Sequence, residues 1–236
     1  MKTRQGNARR RIINCRGIAL LLAFAASACL GYGGFGMTAS FADLGPLNQR
    51  LTELNTGEPP NGWNGKDTFR LNSPLWWLGG HGAARVGDVT IGGGGAATIY
   101  NISADSVDAS IYSLIPAFQV GYIYEPIEYL WIRPCLDIGG GAWVNFVHSK
   151  ESTTQPNFSQ WFYAWTIGAT PGLELMGRMP YGGNKVIGLY VKAGYFLPVY
   201  GPNWAGDDDP PLFDFKGIML EAGIRFDRKP LGALRI

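Results

Sequence analysis

Residues 107–148 read VDASIYSLIPAFQVGYIYEPIEYLWIRPCLDIGGGAWVNFVH. Even-numbered positions in both halves are mostly bulky and apolar, as at Leu114 and Ile138. Odd-numbered positions are mixed in character and include Arg133 and Asp137. Successive side chains of a β-strand point to opposite sides, so this pattern predicts a β-hairpin with one apolar face and one charge-bearing face.

The same alternation recurs on both sides of this hairpin. It begins at Leu75 and returns in residues 159–178, 185–199 and 217–226. The apolar parity shifts at Gly87 and Asp88, which predicts a turn there, with a bulge in one long strand as the alternative. The count is then seven strands, and we expect an eighth within residues 66–73, where apolar and polar residues also alternate.

The connections between these segments alternate in length. Residues 125–128 and 178–184 form short connections, whereas residues 148–160 and 200–211 are long and polar. Residues 101–108 are intermediate and fall in the long series. Short turns at one end and long loops at the other are typical of a transmembrane barrel.

The composition favours an all-β protein and argues against nucleic-acid binding. Hydrophobic residues make up 46%, aromatic residues 13% and charged residues only 16% of 236 residues. Six of the 20 basic residues and no acidic residue lie in residues 1–42, which leaves 14 basic against 18 acidic residues, about −4 net. No basic patch remains for binding a polyanion.

The N-terminal 42 residues have the pattern of an export signal. Basic residues precede the apolar run 17–30, and the small-x-small sequence Ser40-Phe41-Ala42 predicts cleavage before Asp43. A weak lipoprotein site at Cys29 is the alternative, and a transmembrane anchor is disfavoured because the run is short. Once this segment is removed, Cys135 stands alone, so no intrachain disulfide is expected.

Residues 43–65 predict an N-terminal arm and linker. Leucines at positions 44, 47, 51 and 54 have helical spacing, and residues 57–62 are rich in Gly and Pro and would end a helix. The helix would either cover one end of the β structure or form a mobile tether.

The mixed faces carry few charges, and those charges balance. Small residues fill most of these faces, as the crowded interior of a narrow barrel requires. Because an unpaired charge in such an interior is costly, we expect a salt-bridged charge network in the lumen. The predicted members are Arg133, Asp137, Glu174, Lys192, Glu221 and Arg225. A soluble periplasmic β-sandwich or β-barrel binding protein, with the apolar faces turned inward, is the alternative.

An export signal, Gly-rich meandering strands and a closing strand that ends in Phe226 make the chain resemble the small outer-membrane β-barrel proteins of bacteria. The resemblance implies an all-β, antiparallel up-and-down transmembrane β-barrel of eight strands over residues 66–226, with a C-terminal tail at 227–236. It also implies the outer membrane of a Gram-negative bacterium, short turns in the periplasm, and as partners the membrane lipids and the barrel assembly machinery.

Motifs that would indicate catalysis or ligand binding are weak. Adjacent His148 and Ser149 suggest a lipid-modifying acyl hydrolase or transferase, but neighbours on a strand point opposite ways. Three aspartates at 207–209 lack the spacing of a Ca²⁺ or Mg²⁺ cage. The glycines at 92–95 are not followed by the Lys-Ser/Thr of a phosphate-binding loop, and Cys135 is expected to be an inert buried thiol.

We therefore predict a non-enzymatic protein with no catalytic residue, metal or cofactor. Its expected role is structural or adhesive, or the passage of small solutes. The enzyme that modifies lipid and the soluble binding protein remain the alternatives.

Overall fold

A computed structural model describes residues 32–56, 66–104, 107–149, 159–182, 185–206 and 215–228 of the chain. These contain one helix and nine strand segments. The helix is α1 (Gly45–Thr56), and the strands are β1 (Tyr32–Ala42), β2 (Leu75–Val86), β3 (Val89–Ser103), β4 (Val107–Tyr122), β5 (Tyr124–Ile127), β6 (Leu130–Ser149), β7 (Ser159–Pro180), β8 (Lys185–Ala205) and β9 (Gly217–Arg228).

The strands form one closed antiparallel barrel. Strand β5 continues β4 along the edge of β6, so the nine segments form the eight strands of the barrel wall, which we call staves. Each stave pairs with the next one in the chain, and β1 closes the barrel by pairing with both β2 and β9; Gly36, for example, lies opposite Gly79 and Gly223. The eight-stranded up-and-down barrel predicted from the sequence is confirmed.

The first stave differs from the sequence prediction. Residues 32–42, assigned to a signal peptide that ends at Ala42, form β1. Their removal would leave the barrel open between β2 and β9, so cleavage before Asp43 is incompatible with this fold. The error arose because the apolar residues of β1, such as Met37, directly follow the apolar run of the signal. Residues 1–31 lie outside the described residues.

The strand expected within residues 66–73 is also wrong. The described residues 66–74 belong to no strand, although they precede β2 directly. Their backbone groups pair with α1 instead, because the amides of Phe69 and Leu71 donate to the side-chain oxygens of Thr52 and Asn48, at 3.1 and 2.7 Å. These two backbone amides therefore donate to acceptors on a helix, whereas in a strand they would donate to acceptors on a neighbouring strand.

The short turns lie close to their predicted places. Gly87, with φ of 62°, and Asp88 form a turn between β2 and β3, so the alternative of a bulge is excluded. The next turn falls at Glu128 and Tyr129 rather than over residues 125–128, because β5 adds a bulged segment whose register shifts between Tyr124 and Ile127.

The two faces of each stave differ in exposure as the alternation predicted. Phe118 and Ile138 expose 50% and 47% of their surface on the outside, whereas Arg133 on the inside exposes 0%. Large apolar side chains are exposed on all staves, among them Phe35, Leu78, Ile91, Leu114, Leu136, Leu173, Leu189, Val191 and Leu220. A soluble sandwich, which would bury these faces against each other, is excluded.

Among the residues that the structure describes, no helix has the length and apolar content needed to cross a lipid bilayer.

Candidate functional site: the barrel interior

The upper part of the interior, at the end with the long loops, is filled by α1. The leucines of the predicted amphipathic stripe are buried, with Leu47 and Leu51 at 0% exposure. They belong to one apolar cluster with inward-facing side chains of the wall, among them Trp77, Val107, Ile111, Trp143, Val147 and Phe162. Of the two predicted roles for the arm, the structure shows the helix covering one end of the barrel.

A polar stripe fixes α1 to the segment that follows it. Asn48, Thr52 and Asn55 lie four and three residues apart, on one side of the helix. Asn48 bonds to both backbone groups of Leu71, donating to the carbonyl at 2.9 Å and accepting from the amide at 2.7 Å. Asn55 donates to the carbonyl of Asp67 at 2.9 Å. We call α1 together with residues 66–72 the cap.

Below the cap lies a cavity of about 90 Å³. Ile115, Phe196 and Met219 line its apolar part, and much of the remaining wall is glycine. Its polar lining includes Thr38, Gln119, Asp137, Thr170, Lys192 and Glu221. The cavity is therefore bounded by a charged layer.

The centre of the charged layer is Glu174, whose carboxylate lies between two guanidinium groups. Arg133 donates to Oε2 at 2.6 Å, and Arg225 donates to both oxygens, at 2.8 Å to Oε2 and in a shorter contact to Oε1. None of these three side chains exposes more than 1% of its surface. Opposite charges and hydrogen bonds together offset the cost of burying the ions.

A second set of contacts extends the layer across the lumen. Lys192 forms an ion pair with Asp137 and has Glu221 at 4.0 Å. Glu221 accepts a 2.5 Å hydrogen bond from the hydroxyl of Tyr190 and lies 3.6 Å from Nδ1 of His81. The other ring nitrogen of His81 accepts from Nε of Arg225 at 3.0 Å, which joins the two sets.

The structure places all six predicted lumen charges in this one layer. Sequence reasoning missed four further members, which are His81, Thr90, Gln119 and Tyr190. Gln119 joins the sets from the other side, since it accepts from Arg133 at 2.7 Å and donates to Asp137 at 2.8 Å. All four lie on the inward parity of their strands, which is the signal that could have identified them.

The lower end of the interior, next to the short turns, holds a third layer. Trp131 is fully buried, and two guanidinium groups lie near its ring centre, that of Arg178 at 4.3 Å and that of Arg85 at 5.3 Å. Both arginines donate to Glu125, at 3.2 and 2.9 Å. These cation–π and ionic contacts place large side chains across the lower mouth.

Three other features considered from the sequence are Cys135, the glycines at 92–95 and the aspartates at 207–209. Cys135 is a free, buried thiol on the inner face. The glycines at 92–95 lie within β3, where a Cβ on Gly92 would come within 2.2 Å of the Gly82 carbonyl oxygen, so close strand packing accounts for them. Residues 207–209 lie outside the described residues. Nowhere in the described ranges do three His, Cys, Asp or Glu side chains form a group suited to a metal ion.

A carboxylate, that of Asp108, lies beside His148. Its Nε2 lies 3.7 Å from Asp108, directly across the β4–β6 ladder on the outer surface. The hydroxyls of the nearby Ser103 and Ser110 donate to Asp108 and Asn101 respectively. An imidazole beside a carboxylate is therefore present, but neither serine donates its hydroxyl to the imidazole.

Comparison with known proteins gives structural similarity alone. No protein-family model matches the sequence, and no curated protein matches it. Solved structures that resemble the barrel include the following two. One is Ail, the attachment invasion locus protein of Yersinia pestis, with 16% identity, a TM-score of 0.39, and coverage of 83% of this chain and 99% of Ail. The other is Neisserial surface protein A, with 10% identity, a TM-score of 0.36, and coverage of 82% and 94%.

Proposed function

We propose that this chain is a bacterial outer-membrane β-barrel protein with a sealed lumen and a structural or adhesive role. The main support for this proposal is the distribution of side chains, which is the reverse of that in a soluble protein. Large apolar side chains lie outside, and a hydrogen-bonded charge layer lies inside. A surface of that kind is stable when lipid rather than water covers it.

The height of the apolar surface supports this proposal. On β4 the outward residues from Tyr112 to Tyr122 are aromatic at both ends and otherwise uncharged. Ten residues of a strand tilted by about 40° rise roughly 25 Å, which matches the apolar band of an outer-membrane barrel. Tyrosines at both edges suit the two membrane interfaces.

The filled interior argues against a pore. A solute entering from the long-loop end meets the cap, then the Glu174 layer, and finally Trp131 with its two neighbouring arginines. Passage of solutes would require all three layers to move, and the middle layer would lose several buried ion pairs. An eight-stranded barrel filled by side chains is the usual outcome of this strand number.

The length of the staves supports a role outside the membrane. Strand β6 has 20 residues and β7 has 22, about twice the ~9–11 residues that a tilted strand needs to cross a bilayer. Their upper halves therefore stand beyond the lipid, together with the cap and the long loops. Such a projecting surface is suited to contacts with molecules at the cell surface.

Insertion of the barrel into the membrane would depend on the barrel assembly machinery.

Two experiments test the proposal. Cell fractionation should place the protein in the outer membrane, and an unheated sample should migrate differently from a heated one on a denaturing gel. Planar bilayers containing the purified protein should show no regular conductance steps. A freely soluble periplasmic protein would refute the membrane assignment, and stable unitary currents would refute the sealed lumen.

The contact between His148 and Asp108 supports one alternative, a lipid-modifying enzyme at the outer surface. The comparison of His148→Ala with wild type decides between the two functions, since an enzyme would lose its effect on the cell's lipid profile. We expect the two lipid profiles to be identical.

A further inference from the structure

The wall of the cavity beneath the cap carries polar groups whose hydrogen-bonding capacity is not used. Thr38 and Thr170 line the cavity and expose only 7% of their surface each. Within the part of the chain that the structure describes, neither hydroxyl has a hydrogen-bond partner. Oε1 of Glu221 accepts from Tyr190 at 2.5 Å, whereas Oε2 lies 4.0 Å from Nζ of Lys192, beyond hydrogen-bond distance. Because buried polar groups are nearly always hydrogen-bonded, these groups point to a ligand in the cavity.

Strand pairing arranges the polar lining as one arc. Thr38 lies directly opposite Glu221, Glu221 opposite Lys192, and Thr170 opposite Asp137. These residues belong to β1, β9, β8, β7 and β6, which are five successive staves. The arc offers an acceptor at Glu221, a donor at Lys192 and hydroxyls that can do either. A ligand hydroxyl, which both donates and accepts, matches this set.

The rest of the cavity selects the size and the apolar part of the ligand. Ile115, Phe196 and Met219 line the side away from the arc. Water needs about two to four polar partners, so it suits the arc but not this apolar side. A cavity of about 150 Å³ holds a benzene ring, and by that measure the 90 Å³ here suits roughly four non-hydrogen atoms. A hydroxyl on a chain of two or three carbons fits both sides.

The balance of charge in the layer below favours a neutral ligand. Three basic and three acidic side chains form that layer, namely Arg133, Lys192, Arg225, Asp137, Glu174 and Glu221. An ionised ligand would add a buried charge that has no counterpart, and such a charge is costly. A neutral ligand avoids this cost.

We propose that the cavity binds a small neutral alcohol. Its hydroxyl would bond to Glu221 and Thr38, and its alkyl chain would contact Ile115, Phe196 and Met219. Since the cap lies over the cavity, the ligand enters when the cap opens. The site lies inside the barrel, so the inference goes beyond the proposed function and does not depend on it. Cell fractionation tests that function separately.

The methionines of the chain supply natural reporters for the test. The full-length protein is labelled with ¹³C at the methionine methyl groups and reconstituted in lipid nanodiscs. Met219 reports the cavity. Met37 is exposed on the outer face and reports alcohol dissolved in the lipid, and Met176 is buried in the cluster around Trp131 and reports general changes in the barrel. The two probes are 1-propanol and propylammonium chloride, which differ in charge at similar size.

Three variants accompany wild type in the titrations. Thr38→Val/Thr170→Val removes both free hydroxyls and preserves shape. Thr166→Val is the matched control, because this inward threonine donates to the carbonyl of Tyr200 and does not line the cavity. Ala117→Leu fills the cavity. Heat-modifiable migration verifies that every variant is folded.

We expect 1-propanol to shift the Met219 signal of wild type saturably, to shift that of Met37 in proportion to concentration, and to leave Met176 unchanged. The double valine variant should bind 1-propanol roughly fivefold to fiftyfold more weakly, as expected for the loss of one or two hydrogen bonds. Thr166→Val should keep the wild-type affinity, and Ala117→Leu should abolish binding.

Three results would overturn the inference. The first is a Met219 response to 1-propanol that saturates no more than that of Met37, which would show that the cavity holds water only. The second is equal binding of propylammonium, and the third is an unchanged affinity in the double valine variant.

Discussion

Nη2 of Arg133 donates a 2.6 Å hydrogen bond to Oε2 of Glu174, although their side chains expose only 0% and 1% of their surface. The two residues also lie directly opposite each other on β6 and β7. Arg225 reaches the same carboxylate from β9. Two guanidinium groups thus share one carboxylate in the middle of the barrel.

Replacing Glu174 by Gln should be strongly destabilising. The substitution preserves shape but leaves two buried guanidinium groups without their counter-charge, which costs about 3–5 kcal/mol when a buried pair is broken. Urea unfolding of the refolded barrel in micelles or bilayers measures the change. The control is Glu53→Gln in the exposed Arg50–Glu53 pair of α1, where less than about 0.5 kcal/mol is expected. Similar losses in both variants would contradict the assigned role of the buried carboxylate.

Asp137 and Lys192 should behave as a coupled pair. Each partner is buried in the lumen, so its removal leaves the other uncompensated, whereas removal of both eliminates the problem. In a double-mutant cycle with Asp137→Asn and Lys192→Met, we expect the double variant to be less destabilised than the sum of the singles, by about 0.5–3 kcal/mol. Strict additivity would show that the ion pair contributes nothing in the folded barrel.

The cap should loosen locally when Asn48 is replaced by Ala. Asn48 supplies the acceptor for the amide of Leu71, whereas the amide of Phe69 depends on Thr52. Hydrogen exchange should therefore accelerate markedly at Leu71 and less at Phe69. Gln49→Ala, which removes only an exposed bond to Glu53, serves as control. Unchanged protection of Leu71 would place residues 66–72 away from the helix.

The barrel should be sensitive to side-chain size at Gly36. A Cβ there would come within 2.5 Å of the Tyr190 hydroxyl and 2.7 Å of the Ala222 carbonyl oxygen, whereas at Gly177 it would meet nothing within 4 Å. We expect Gly36→Ala to cost about 1–3 kcal/mol through overpacking and Gly177→Ala to be nearly neutral.

The intact mass of the membrane-embedded protein should show an N-terminus at or before residue 32. A mature chain that begins at Asp43 would contradict the position of β1.

Local alternation predicted seven of the eight barrel strands and the two faces of each. At Arg133, Asp137 and Lys192 the side-chain parity alone indicates an inward direction, because each residue is flanked by outward apolar residues on its own strand. The alternation of short and long connections then orders the staves. Both signals are local and need no knowledge of which strands meet.

Contacts across the lumen could not be predicted in the same way. Arg225 reaches Glu174 and His81 because barrel closure brings β9, β7 and β2 around one interior, and that closure depends on β1. The alternation of Met37 and Phe41 with Gly36 and Thr38 was present in the sequence but merged with the apolar run before it. The segment that contains Leu71 alternates like a strand, but it bonds to Asn48 of α1 rather than to another strand. Local periodicity cannot distinguish such a segment from a true strand.

The central claim, that lipid covers the outside of the barrel and a packed network fills its inside, is tested most directly by spin labels along β4. Single cysteines are introduced at positions 114–120, with Cys135 replaced by Ser, and carry the spin labels. In reconstituted bilayers the accessibility of these labels should alternate with period two. Labels at Leu114, Phe118 and Val120 should be accessible to oxygen and shielded from a water-soluble nickel complex, whereas a label at Gln119 should be shielded from both. Access of the nickel complex to the even positions would contradict the account.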